Sequence, residues 1–128
     1  MTDWIDRKSL LANTGGDREL AAEVLGIFES QVQTWGQMLN SNSEPEHWAD
    51  AAHTIKGAAL GIGAQQLAEV CKTVEQRGRS QNPPSRTETS LLINDIRDVL
   101  LPTQDAAARL RHEFGQWSEF RSSNLSNS

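Results

Sequence analysis

The residues with the clearest chemical potential lie in one short segment, AHTIKGAALGIGA, at residues 52–64. His53 is followed by Lys56 three residues later and by Gly57 four residues later. On a helix these spacings place the lysine and the glycine beside the histidine. A neutral imidazole is a nucleophile, and a nearby cation best suits a phosphoryl group attached to it. The segment therefore indicates phosphoryl chemistry at His53.

Gly57 is unusual because it falls inside the predicted helix. Glycine in a helix interior costs about 1 kcal/mol relative to alanine. One compensation is the open space that a missing side chain leaves beside an exposed histidine. We therefore interpret Gly57 as clearance for the surface of a partner.

The turn after this segment predicts a carboxylate partner for the histidine. Gly61 and Gly63 mark the end of the helix, so the turn is centred near Ala64. His53 before the turn and Glu75 after it are equally far from Ala64 along the chain, so an antiparallel pair of helices places them opposite each other. A carboxylate that accepts from one ring nitrogen fixes the tautomer and leaves the other nitrogen free to react.

Arg79 lies one turn beyond Glu75, so Arg79 and Lys56 could both reach a group carried by the histidine. Each residue also has an ordinary explanation. A lone helical histidine is usually structural or merely exposed, and a lysine beside it can be a solvated surface residue. The glycines can serve packing, and Glu75 can pair with Arg79 at four-residue spacing. The combination is harder to explain in this way than any single residue.

The elements that position these residues all have the pattern of helices, because apolar residues recur at three- and four-residue steps. The pattern predicts a helix over residues 17–40 with Asp17 as N-cap, and a second helix opened by a capping box at residues 43–46. The predicted buried positions are Leu20, Val24, Ile27, Phe28, Val32, Trp35 and Leu39 in the first helix, and Trp48, Ala52, Ile55, Ala59 and Ile62 in the second.

A third helix follows, and a capping box at residues 85–88 opens a fourth. Pro102 should kink or stop this fourth helix, because proline lacks the N–H that a helix needs. We expect either one kinked helix to about Trp117 or two helices, and a disordered tail over residues 118–128. With a short N-terminal helix in front, the pattern predicts an all-α antiparallel four-helix bundle, a single domain over residues 1–117.

Composition narrows the function classes. The chain has 128 residues with a formal net charge of −5 and no basic stripe, which argues against nucleic-acid binding. No apolar run has the length of a membrane span, and the single Cys71 fits a reducing cytosol. The three histidines lack metal-ligand spacing, so we expect no metal or cofactor in this chain.

The segment AHTIKGAALGIGAQQLAEVCKTVE resembles the signature of histidine-containing phosphotransfer (HPt) domains. That signature is His-x-x-Lys-Gly, then a later Gly, then Leu and Cys on the following helix. The upstream segment GGDRELAAEVLGIFESQ resembles the preceding helix of the same family. The resemblance covers about residues 5–100 and is specific over residues 52–75. Sensor-kinase dimerisation domains match less well, because their histidine is normally followed by an acidic residue and a downstream proline.

The resemblance implies a four-helix bundle that relays phosphoryl groups between aspartates of receiver domains, in response regulators or in a hybrid histidine kinase. His53 matches the phosphorylated histidine, Lys56 the lysine that supports the phosphoryl group, and Gly57 the glycine that admits the receiver domain. Glu75 falls where many members carry Gln or Glu bonded to the ring. Arg79 falls where some members carry an arginine near the site.

The resemblance also implies a phosphoryl carrier rather than an autonomous enzyme, with Mg²⁺ and most catalytic groups supplied by the receiver domain. We expect a cytoplasmic monomer whose docking face surrounds His53, with Leu60, Ile5 and Leu11 as apolar contacts. Ala58 departs from the family, where serine is common, and this puts any role for that hydroxyl in doubt.

Two other functions stay open. One is the phosphotransfer domain of a chemotaxis-type kinase, whose histidine is phosphorylated by a kinase domain using ATP. The length of the chain and its lack of an ATP-binding segment argue against this, unless the chain is a fragment. The other is a helical adaptor that binds a receiver domain without phosphotransfer. Such an adaptor would need none of His53, Lys56 and Gly57.

Overall fold

The chain forms a bundle of helices. The computed structural model describes the backbone of residues 3–126 and the side chains of residues 3–116. The helices are α1 (Arg7–Asn13), α2 (Arg18–Gly36), α3 (Pro45–Gly61), α4 (Gln65–Gly78) and α5 (Arg86–Ser126). No strand occurs within the described backbone. The predicted all-α bundle, with a short leading helix and a long last one, is confirmed.

The four long helices surround one apolar core. Helix α3 packs against α2 and α4, and α5 packs against the other sides of α2 and α4. The largest side chains in the core are Trp48, Phe28 and Phe114, all fully buried. The buried positions predicted for the second helix are confirmed, since Trp48, Ala52, Ile55, Ala59 and Ile62 all lie in the core.

The predicted buried face of α2 is wrong in part. Leu20 and Ile27 are exposed, and the core positions include Ala21 and Leu25 instead. Two neighbouring rows of residues on this helix both follow three- and four-residue spacing. A helix buries the row that its neighbours cover, and here α3 and α5 cover the row that contains Ala21, Leu25, Phe28 and Val32.

The helix starts differ in how their free N–H groups are satisfied. The Asp17 carboxylate accepts from the backbone N–H groups of Glu19 and Leu20, as predicted for an N-cap. The capping box predicted at residues 43–46 does not form. Helix α3 begins at Pro45 with Glu44 as N-cap, so the serine before it lies one position too early to cap.

The box predicted at residues 85–88 forms only in part. Ser85 Oγ accepts from the backbone N–H of Glu88 at 3.1 Å. The Glu88 carboxylate instead accepts from Arg77 of α4, at 2.6 and 2.8 Å. This ion pair ties the end of α4 to the start of α5.

Helix α5 is continuous through Pro102, which settles the choice between one helix and two. It also runs to Ser126, past the end predicted near Trp117. Serine and asparagine give no apolar periodicity and so indicate a tail, whereas extending an existing helix adds one hydrogen bond per residue. The backbone is therefore helical over most of the predicted tail at residues 118–128, and residues 127–128 lie outside the described part. The domain boundary itself stays a prediction.

The turn between α3 and α4 is fixed by Gly63. Its φ of +78° is one that residues with side chains rarely adopt, and a Cβ there would lie 2.8 Å from the carbonyl oxygen of Asp6. The backbone N–H of Asp6 donates to the Gly63 carbonyl at 2.9 Å, so the N-terminal segment packs onto the turn. This turn sets the register in which α3 and α4 face each other.

Candidate functional site

His53 lies in the middle of α3, next to the buried Ala52. Its side chain is 61% exposed, as expected for a residue just off the buried face. The imidazole is therefore open to a second molecule while its helix is held by the core.

Helix α4 supplies the predicted carboxylate. Oε2 of Glu75 lies 2.9 Å from Nδ1 of His53, and Oε1 of Glu75 accepts a hydrogen bond from Nζ of Lys56 at 2.8 Å. The Glu75 side chain is only 13% exposed, so these contacts lie beneath the exposed imidazole. The hairpin prediction for the position of Glu75 is confirmed.

The charge state of Glu75 decides the tautomer of the histidine. Partial burial acts to raise the pKa of the Glu75 carboxyl, but hydrogen bonds from Lys56 and Arg79 outweigh it and lower the pKa. Glu75 is then an anion that can only accept hydrogen bonds. Nδ1 of His53 must be the donor in this contact, which leaves the Nε2 lone pair free.

Arg79 contacts two carboxylates. Its Nε donates to Oε2 of Glu75 at 3.2 Å, and its Nη2 donates to Oδ1 of Asp50 at 2.8 Å. Both contacts raise the pKa of the Arg79 guanidinium, and the hydrogen bond to Asp50 has the larger effect. The structure thus places Arg79 beside Glu75, as the spacing predicted, but engaged with carboxylates.

Asp50 is the member of this cluster that the sequence reasoning missed. Asp50 before the turn and Arg79 after it are almost equally far from Ala64 along the chain, so the hairpin register that paired His53 with Glu75 also pairs these two. The sequence contained a signal for this pair, because an acid and a base at nearly equal distances on either side of a turn face each other across the two helices. Asp50 is also three residues before His53, on the same side of α3.

The surface beside His53 is unobstructed. A Cβ added to Gly57 would meet no atom within 4 Å. Leu60, one turn further along α3, is 55% exposed, and Leu11 is half-buried. Ile5, expected on the docking face, is only 4% exposed because it belongs to the core, so that expectation is wrong.

Cys71 lies under this cluster and is fully buried. Burial raises the pKa of its thiol to about 12, with Lys56 acting in the opposite direction and Glu75 in the same one. A thiol with this pKa is not a nucleophile at neutral pH. Cys71 is therefore a core residue.

Among the described residues, no group of three or more His, Cys, Asp or Glu side chains could hold a metal ion. No helix in the described part is both long and apolar enough to cross a membrane.

Comparisons with known proteins agree on one family. The family model of the Hpt domain matches residues 18–116. The fold is similar to the crystal structure of the histidine phosphotransferase ShpA from Caulobacter crescentus, with a TM-score of 0.70 and 32% identity over 89% of this chain and 96% of that one. The search of curated proteins gave no match. The chain therefore belongs to the Hpt domain family, whose members carry phosphoryl groups in phosphorelays.

Proposed function

We propose that His53 is the residue of this carrier that is phosphorylated, and that it exchanges phosphoryl groups with aspartates of receiver domains. One observation supports this most strongly. The 2.9 Å contact from Nδ1 to Glu75 leaves Nε2 as the free nitrogen of an exposed ring. A lone exposed histidine without this partner would distribute between tautomers, of which only one can attack through Nε2.

The transfer step follows from this geometry. The Nε2 lone pair attacks the phosphorus of an aspartyl phosphate on the partner, and the bond from phosphorus to the aspartate oxygen breaks. The aspartate leaves as a carboxylate, and the phosphoryl group is now bonded to Nε2 of His53. The Nδ1 proton stays in place, so the ring becomes a cation, which the Glu75 carboxylate stabilises. The reverse step passes the group to another aspartate.

Lys56 supplies the positive charge of this chain for the phosphoryl oxygens. Its ammonium group is held by Glu75 at 2.8 Å, one turn from His53 on the same face of α3. Transfer through such a site depends on positioning and on charge neutralisation. Mg²⁺ would be held by the receiver domain, where it would neutralise charge on the phosphoryl group during transfer.

The partner surface is the area around Gly57. Glycine costs helix stability here without any neighbour that needs the space, so a second molecule is the best reason for it. Leu60 on α3 gives one apolar contact. Asn13 of α1 donates to the carbonyl of Gly61, which places α1, and with it Leu11, near the same end of α3. The chain would act there as a monomeric carrier and not as an autonomous enzyme.

The two alternatives make different predictions for labelling. A chemotaxis-type domain takes its phosphoryl group from a kinase and ATP, and an adaptor takes none. We expect that mixing the protein with a phosphorylated receiver domain gives an acid-labile, base-stable label, which peptide mapping locates at His53. Label that appears only with a kinase and ATP would favour the chemotaxis-type domain. Binding of the receiver without label would favour the adaptor.

A further inference from the structure

Asp50 and Arg79 form an ion pair beside the reactive histidine. Arg79 Nη2 lies 2.8 Å from Asp50 Oδ1, and the two residues belong to different helices, α4 and α3. Both side chains are about half-exposed, and exposed ion pairs of this kind contribute little to stability. Stability is therefore a weak explanation for the pair.

The same arginine competes with His53 for one oxygen atom. Oε2 of Glu75 accepts from Nδ1 of His53 at 2.9 Å and from Nε of Arg79 at 3.2 Å. Oε1 of Glu75 is used by Lys56. Three donors thus share two oxygens, and the contact with the imidazole is the one on which the tautomer depends.

A guanidinium group prefers to bind a carboxylate through two parallel N–H groups. Arg79 does not bind Glu75 in this way, because its Nη2 group is directed to Asp50. Only Nε reaches Glu75, and that contact is longer than the one to His53. Asp50 thus limits the hold that Arg79 has on the carboxylate.

We propose that Asp50 is a positioning residue, which draws Arg79 away from a two-pronged contact with Glu75 and so keeps Oε2 of Glu75 available to Nδ1 of His53. This inference rests on the proposed role of His53 in phosphoryl transfer. Without Asp50, Arg79 engages both oxygens of Glu75 and displaces Lys56 and the imidazole. The ring then populates the tautomer with its proton on Nε2, which cannot attack through Nε2.

The tautomer of His53 can be measured directly by ¹⁵N NMR of the ring nitrogens in the protein alone. Asp50→Asn should lower the fraction with the proton on Nδ1, and Arg79→Gln added to Asp50→Asn should restore it, because the competitor is then gone. Glu46→Gln is the matched control. Glu46 is an exposed acid on α3, and its replacement removes the same charge.

Two NMR results would overturn the inference. One is an Asp50→Asn spectrum identical to that of Glu46→Gln. The other is a double variant that keeps the altered tautomer of Asp50→Asn, because Asp50 would then not act through Arg79. Asp50→Glu should have the tautomer fraction of the wild type, because it keeps a carboxylate for Arg79.

Transfer kinetics separate positioning from docking. The maximal rate of phosphoryl acceptance by Asp50→Asn should fall by about tenfold, the lower end of the loss seen when a residue that orients a metal-binding histidine is removed. The receiver concentration for half-maximal rate should not change. A change in that concentration alone would make Asp50 a partner contact and contradict the inference. A wild-type protein that accepts no phosphoryl group would refute the proposed function, and the NMR result would still decide the role of Asp50.

Discussion

Nδ1 of His53 lies 2.9 Å from Oε2 of Glu75, although the two residues belong to different helices and are far apart along the chain. The turn at Gly63 sets this contact, because it fixes how α3 and α4 face each other. The reactivity of the histidine thus depends on the packing of two helices as well as on its own side chain.

The contacts of Glu75 should make the stability of the fold decrease at low pH. The pKa of Glu75 lies below its ordinary value of 4.5 in the folded protein. The carboxylate therefore stabilises the fold above pH 4.5, and this contribution is lost as the pH falls through the lower folded-state pKa. We expect the difference in free energy of unfolding between the wild type and Glu75→Gln to shrink over that range. Urea titrations at several pH values measure this difference. A difference that does not change with pH would contradict a stabilising role of the Glu75 ion pairs.

Gly57→Leu should separate folding from docking. A Cβ at this position would meet no atom within 4 Å, and the substitution removes a glycine from the helix interior. The melting temperature should therefore hold or rise, with a gain in stability of up to about 1 kcal/mol. Phosphoryl acceptance from a receiver should slow, because the side chain occupies the partner's space. Gly115→Leu is the control, since Gly115 is also an unobstructed helix position. Equal transfer rates for the two variants would contradict the clearance argument.

Gly78 is a glycine of the opposite kind. A Cβ there would lie 2.6 Å from the ring of Trp48 and 3.0 Å from the side chain of Ala49, both buried in α3. Gly78→Ala should therefore destabilise the protein by about 1–3 kcal/mol, because the helices must move apart. Thermal unfolding of Gly78→Ala beside Gly36→Ala, where no atom is near, tests this. An unchanged melting temperature for Gly78→Ala would show that α3 and α4 are not tightly packed at this position.

Cys71 should be unreactive in the folded protein. Burial excludes reagents and raises the pKa of its thiol to about 12, so almost no thiolate exists at neutral pH. We expect iodoacetamide to modify it only after urea unfolds the chain. Mass spectrometry measures the modified fraction, and rapid labelling of the native protein would contradict the burial of Cys71.

The sequence predicted the site better than it predicted the helix faces and ends. Two glycines and equal distances from Ala64 were enough to pair His53 with Glu75, because a short turn leaves little freedom of register. The exposure of Leu20 and Ile27 was not predicted, because spacing within one helix does not reveal which row its neighbours cover. The pair of Asp50 and Arg79 was missed, because its two distances from Ala64 differ by one residue and its register signal is weaker than that of His53 and Glu75.

The end of α5 was missed for a similar reason. Helix continuation to Ser126 leaves no trace in apolar spacing. The start of α3 shows the opposite error. Residues 43–46 have the spacing of a capping box, but they form no side-chain cap. Short motifs of this kind predict that a helix begins nearby, and the packing of the bundle decides the residue.

The central claim is that His53 carries the phosphoryl group, and replacing that one residue tests it most directly. His53→Gln should keep the melting temperature of the wild type, since the side chain is exposed, and should take up no label from a phosphorylated receiver domain. His47→Gln is the matched control, because His47 is an exposed histidine of the same helix, and it should be labelled as the wild type is. Label on His53→Gln at the wild-type level would contradict the account.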